Sequence, residues 1–248
     1  MLPVAETKER SRIFSSCDMV MFQTERALEF YPLNIQAHGK VIPNALGNPH
    51  IAHAVRPKER TKKISAIGRL SAEKDFPTLL RAFALVYRQY NDYRLEIFGS
   101  GADREKLELL AQELGIADVV DFRGADPEAI VRIADAACYV LCSKYEGMPN
   151  ALMEAMAVGL PCVATDCPNG PAELIVHGEN GLLVPVGNVQ KLAEAITEML
   201  RDRDFAERCG DNAMKIRSTH SMDVVAQEYM NYIEEALKRY QEKKQRSV

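Results

Sequence analysis

The sequence predicts an α/β protein built on a parallel sheet with helices on both faces. From residue 62 onward, short β-branched runs alternate with longer amphipathic runs, the signature of repeated strand–helix–strand units. The run from Cys138 to Cys142 reads as a buried strand and leads through a short loop into a helix. An apolar fraction of 47% with no extreme residue class fits an ordinary globular chain.

The elements follow in order. Glu9–Ser16 reads as helix, Met19–Gln23 as strand, Thr24–Phe30 as helix, and Lys40–Ile42 as a short strand ending at Pro43–Asn44. Residues 45–62, rich in His, Pro and basic residues, read as a linker. The strands expected beyond it are Ile64–Gly68, Arg94–Phe98, Val119–Phe122, Cys138–Leu141, Pro161–Thr165 and Leu182–Val184. Helices are expected between them at Phe76–Tyr90, Arg104–Leu114, Glu128–Ala134, Pro149–Val158 and Pro171–Val176. Three more close the chain, Val189–Leu200, Phe205–Ile216 and Met222–Tyr240. Four segments result: 1–44, a linker at 45–62, the main α/β domain at 63–218, and a C-terminal helix and tail at 219–248.

A net charge of −4 argues against a nucleic-acid partner, which calls for a basic excess or stripe. No apolar run reaches the length of a membrane span, and no signal-peptide pattern opens the chain. The six cysteines show no C-x2-C pair and no histidine at zinc spacing. They read as small buried hydrophobes of a cytoplasmic protein. The basic tail Lys238–Arg246 reads first as a solvated helix end and second as a peripheral contact with anionic lipid at the inner membrane face.

The most informative stretch is S-K-Y-E-G-M-P-N-A-L-M-E-A-M-A-V-G-L-P, Ser143 to Pro161. Proline is favoured at a helix start, and the N–H groups and dipole of a helix opening near Pro149 suit an anion. Glu146 precedes this helix start and Glu154 follows it, eight residues apart. Phosphates on the N–H groups and hydroxyls donating to the carboxylates would fill such a place, as in a nucleotide sugar. The plainer alternative is a solvated loop Glu and a carboxylate near a helix start.

The surrounding residues favour the functional reading, because this string resembles the E-x7-E motif of retaining glycosyltransferase family 4. I-G-R-L-S-A-E-K-D (Ile67–Asp75) resembles the first strand-to-helix turn of that family's C-terminal domain, and N-G-L-L-V-P-V-G-N (Asn180–Asn188) its late turn and strand. Together these cover roughly residues 40–218, and Y-E-G-M-P-N-A-L-M-E-A-M is similar to the motif of capsule and exopolysaccharide enzymes. The resemblance implies a Rossmann-like donor-binding domain, the C-terminal half of a GT-B glycosyltransferase, with residues 1–44 a remnant of the N-terminal acceptor domain. It implies retaining transfer of a hexose or N-acetylhexosamine from a nucleotide sugar, with UDP the expected nucleotide, to a saccharide or lipid-linked acceptor. It implies no metal and no cofactor. Arg69 and Lys74 would grip the diphosphate, and a lysine beside a helix start, where the dipole disfavours cations, itself suggests an anion nearby. Glu146 would meet hydroxyls of the transferred sugar and Glu154 those of the ribose. Gly68, Gly99, Gly147, Met148, Pro149, Asn150, Ala151 and Leu152 would face the donor, and Arg123–Gly124 the base. Most of the first domain is missing from this reading, so the chain is expected to bind donor without transferring it, and residues 1–44 to expose apolar surface that promotes self-association.

Other readings compete. Gly99–Ser100–Gly101 begins a G-x-G-x-x-G dinucleotide fingerprint, with Asp121 about twenty residues on, which would make the chain an NAD-dependent oxidoreductase; Arg104 replaces the third glycine. A nucleotide-sugar epimerase on the same plan is opposed by the E-x7-E string. Asp202–Arg203–Asp204 matches a metal-binding D-x-D but falls between two late helices, where a cap is the expected role. The five histidines suggest no metal site. Cys167-Pro168-Asn169-Gly170-Pro171 departs slightly from the family pattern, which leaves sugar selectivity open.

Overall fold

A computed structural model describes residues 4–54 and 57–246. Contacts separate two compact units, one running up to Gly47 and resuming at Ser218, the other Asn48–Arg217.

The first unit contains α1 (Val4–Ser16), β1 (Val20–Phe22), α2 (Glu25–Glu29), α3 (Leu33–Gln36) and β2 (Gly39–Val41). β1 and β2 pair in parallel, Val20 opposite Gly39. Val20, Phe22 and Ile35 form a small core against which Phe14, Leu28 and Tyr31 pack. Thr24 caps α2, its hydroxyl accepting from the Ala27 N–H at 3.1 Å.

The second unit holds β3 (Thr61–Ile67), α4 (Phe76–Tyr87), β4 (Arg94–Phe98), α5 (Arg104–Glu113), β5 (Val120–Gly124), α6 (Ala129–Arg132), β6 (Ala136–Leu141), α7 (Asn150–Ala157), β7 (Cys162–Thr165), α8 (Pro171–Leu174), β8 (Leu182–Val184), α9 (Val189–Arg201) and α10 (Arg203–Ala213). After α11 (Ile216–Thr219), α12 (Met222–Arg246) returns to the first unit. The six strands are ordered β5-β4-β3-β6-β7-β8, and every pair is parallel. This is the doubly wound Rossmann-like arrangement, in which the chain starts in the middle, winds one way and then the other. The order reverses between β3 and β6, so loops leaving their carboxyl ends open a crevice there. Ile64, Leu95, Ile97, Cys138, Val140 and Val163 are buried in one core with Leu79, Leu80 and Phe83 of α4 and Leu192 and Ile196 of α9.

The expected elements recur with shifted ends. β3 begins three residues early, α6 is one short turn rather than Glu128–Ala134, and the run Phe205–Ile216 divides into α10 and α11. Residues 48–62 of the stretch read as a linker belong to the second unit. They carry a 3-10 turn at Pro49–His53 and the start of β3. Asp202 is an N-cap, its carboxylate accepting from the Phe205 N–H at 2.8 Å, which accounts for the D-R-D string. Cys17 is exposed and the other five cysteines are buried and unpaired. Burial pushes the Cys138 thiol up to about 12 and that of Cys167 up to about 11, which keeps them protonated and unreactive. No described helix is long and apolar enough to cross a membrane.

Candidate functional site at the switch point

Two strand exits build the site. β3 ends at Ile67, and Gly68–Asp75 turns into α4 through a 3-10 turn at Ala72–Lys74. Asp75 takes a left-handed conformation (φ 50°), which Asp tolerates better than most side chains. Its buried carboxylate accepts from the Thr78 hydroxyl at 2.8 Å and pairs with Lys144 at 3.4 Å. On the neighbouring side β6 ends at Leu141, and Cys142–Pro149 leads into α7. The two loops are laced together: the Lys144 N–H donates to the Glu73 carbonyl at 2.8 Å and the Cys142 thiol to that of Lys74 at 3.0 Å.

This lacing brings together residues 72 positions apart. Lys74 Nζ lies 2.6 Å from Glu146 Oε1, with side-chain exposures of 23% and 8%. The Ser143 hydroxyl donates to the same oxygen at 2.5 Å. A cleft of about 510 Å3 opens beside the pair. It is lined by Gly68, Arg69, Lys74, Glu146, Gly147, Met148, Pro149, Asn150 and Ala151 of the expected set, and by Ile67, Glu73, Leu141 and Tyr145 besides. Pro149 occupies the cap of α7, one position before the helix, and has no side-chain acceptor for the helix-start N–H groups. The cleft therefore combines a helix N-terminus, two basic side chains and two carboxylates, an arrangement suited to a ligand with both phosphates and hydroxyls. The Glu73 carboxyl is held below its ordinary range by the Ser71 hydroxyl and its own N–H, with the charges of Arg69 and Lys74 adding to this. Gly170 (φ 90°) abuts the cleft wall: a Cβ there would lie 2.4 Å from Pro149 Cδ and 2.7 Å from the Gly147 carbonyl oxygen.

The remaining expected residues lie elsewhere. Leu152 is buried in the core. Arg123 ion-pairs with the buried Glu96 at 2.7 Å and lines a separate depression with Lys63, Phe98, Asp126 and Arg132. Gly99, whose N–H donates to the Gly124 carbonyl at 2.7 Å, is explained by close backbone approach. A Cβ on it would meet the Gly68 carbonyl oxygen at 1.8 Å, and one on Gly101 that of Leu70 at 2.2 Å. The G-x-G pair thus lets two strand-exit loops touch.

Glu154 is half-buried on α7, and Asn48 hydrogen-bonds its carboxylate. Burial raises its pKa above the ordinary 4.5, with the Asn48 bond partly opposing this. A carboxyl raised on folding contributes stability that is full below the unfolded value and lost as pH climbs through the folded one. Glu154→Gln should therefore melt with the parent at about pH 3.5 and above it at about pH 7; coincident melts at both would remove the burial effect. Asn48, Ser143 and Tyr145 escape sequence reasoning. Only the three-residue spacing of Ser143 and Glu146 hinted at a contact. Among the described residues, no group of three or more His, Cys, Asp or Glu is placed to hold a metal ion.

Fold and cleft define a doubly wound α/β domain with a cleft at its switch point. The chain matches the family model of glycosyl transferases group 1 over residues 49–216, and it belongs to that family. It is 33% identical over 90% of its length to an exopolysaccharide phosphotransferase of Streptomyces coelicolor. It is 27% identical over 88% to a poly(glycerol-phosphate) alpha-glucosyltransferase of Bacillus subtilis, and 36% identical over 54% to a lipopolysaccharide 1,6-galactosyltransferase of Salmonella typhimurium. It spans 24%, 32% and 39% of those proteins, respectively. Among solved structures, Anabaena HepE in complex with UDP superposes with a TM-score of 0.81 at 20% identity, covering 93% of this chain and 68% of that one. An S. aureus TarM variant in complex with UDP gives 0.78 at 22%, covering 91% and 46%. The shared architecture is the C-terminal domain of GT-B glycosyltransferases.

Proposed function

We propose that this chain is the donor-binding part of a retaining family 4 glycosyltransferase of polysaccharide biosynthesis. It takes a hexose or N-acetylhexosamine donor linked to UDP, for transfer to a saccharide or lipid-linked acceptor without a metal. The observation that carries the reading is the Lys74–Glu146 pair at the mouth of the switch-point cleft, 2.6 Å apart and beside the start of α7. Lys74, Arg69 and the first N–H groups of α7 would take the diphosphate. Fixed positive charge and oriented dipoles there would stabilise the charge that develops on the leaving group. Glu146 would accept from hydroxyls of the sugar and Glu154 from those of the ribose, one carboxylate for each set. The relatives named as a glucosyltransferase and a galactosyltransferase support sugar transfer, and the UDP complexes of the similar folds support the nucleotide. The phosphotransferase is about four times as long as this chain, so its named activity carries less weight here. An NAD-dependent reading loses its main support, because the G-x-G glycines already have a packing role.

Calorimetric titration with UDP, GDP, ADP and NAD, without and then with magnesium, tests the reading. Metal-independent binding of UDP is expected, with negligible transfer by this chain alone. Binding of NAD alone, or of none of the four, would overturn the donor-site reading. Readily measured transfer by the purified chain would overturn only the claim of inactivity.

A further inference from the structure

We infer that Ser143 is the positioning residue for the Glu146 carboxylate and decides which of its oxygens meets the donor sugar; this rests on the donor-site reading above. Ser143 is completely buried at the exit of β6. Its hydroxyl has one proton to give, and it goes to Glu146 Oε1 at 2.5 Å. Lys74 Nζ addresses the same oxygen at 2.6 Å. Oε2 has no hydrogen-bond partner among the described residues.

Ser143 is itself fixed from behind. Its carbonyl accepts from the Thr165 hydroxyl at 2.6 Å, and Thr165, the last residue of β7, is also completely buried. A third tether holds the loop, the Glu146 N–H donating to the Pro168 carbonyl at 3.3 Å. Two adjacent strands thus position one carboxylate through a chain of two buried hydroxyl groups.

The two donors on Oε1 differ in what a ligand does to them. Lys74 is partly exposed on a flexible stem and lines the cleft, so an incoming diphosphate competes for its ammonium. Ser143 has no path to the ligand and keeps its bond. It therefore holds Oε1 while Lys74 turns to the phosphates, and the carboxylate presents Oε2 to a sugar hydroxyl in one orientation. Without Ser143, donor binding would withdraw the last side-chain donor to the carboxylate at the moment the sugar needs it.

The test compares two ligands that differ only in the sugar, UDP and UDP-glucose, with the GDP and ADP pairs run alongside. Ser143→Ala should leave nucleoside diphosphate affinity within about twofold and weaken the sugar-linked ligand roughly tenfold, the scale of a hydrogen bond to a charged group. The ratio of the two affinities is the informative quantity, since general loosening of the site lowers them together. Thr165→Val, which leaves the Ser143 hydroxyl in place but frees its carbonyl, should shift the ratio in the same direction by less. It also serves should Ser143→Ala fail to fold. An unchanged ratio in the folded variants would overturn the positioning role and leave the donor reading standing. Failure of the unmodified chain to bind any of the nucleoside diphosphates would overturn both.

Discussion

Replacing Lys74 with alanine is expected to abolish nucleoside diphosphate binding and to destabilise the chain at the same time. The ammonium is the only cation within ion-pair distance of Glu146 among the described residues, and that carboxylate is 8% exposed. Removing one partner of a buried pair leaves the other charge uncompensated. Because Lys74 is itself 23% exposed, water repays part of the loss, and about 2 kcal/mol is expected rather than the full cost of a buried orphan. The double change Lys74→Ala with Glu146→Gln separates the two effects. It removes the orphaned charge and should recover most of the stability in urea melts, while binding stays absent in calorimetry. Equal instability of the single and double variants would show that the pair is not a buried-charge problem, and retained binding in Lys74→Ala would take the lysine out of the diphosphate site.

Arg60→Ala is expected to cost about 3 kcal/mol of stability without touching ligand affinity, because breaking a buried charged hydrogen-bond network is among the few changes with so large an effect. Its guanidinium is 10% exposed and pairs with Glu207 at 2.7 Å. The same group donates to the carbonyls of Ala134 at 3.3 Å, Ala136 at 3.2 Å and Gly159 at 2.7 Å. One side chain thus ties the start of β3 to the start of β6, the turn after α7, and α10. All of this lies at the amino ends of the strands, opposite the cleft. Lysine cannot span the three carbonyls and the carboxylate with one ammonium, so Arg60→Lys should recover less than half of the loss. Urea melts give the stability, and titration of the still-folded variant gives the affinity. Weakened binding in fully folded Arg60→Ala would mean the two ends of the sheet are coupled.

Arg60 falls in a stretch that composition marks as a linker, rich in His, Pro and basic residues. Nothing local in the sequence separates an arginine in a solvated connector from one that donates to four partners 74 to 147 positions away. The glycines after β4 mislead in the opposite direction. Gly99 and Gly101 look like half a phosphate-binding fingerprint, yet the space they leave is filled by the backbone of the loop after β3. Element boundaries slipped for a related reason: the apolar run after Glu128 continues into buried Ile133 and Ala134 although the helix has already ended at Arg132. Burial and helicity are separate properties, and hydrophobic pattern reports the first.

Periodicity and turn chemistry, which act over a few residues, determined by themselves that this chain makes alternating strands and helices. They also placed Arg69, Lys74, Glu146 and the start of α7 at strand exits. Motif resemblance extended this to a family of glycosyl transferases and to an expected donor site. Strand order was decided only by the tertiary structure, because parallel neighbours are joined by long crossovers and no short turn dictates which strands pair. The same holds for contacts made across that order. Lys74 and Glu146 meet because β3 and β6 are adjacent, Ser143 is braced by Thr165 because β6 and β7 are, and Asn48 reaches Glu154 from another part of the chain. Each of these bonds depends on register between distant segments, and that quantity exists only once the sheet has formed.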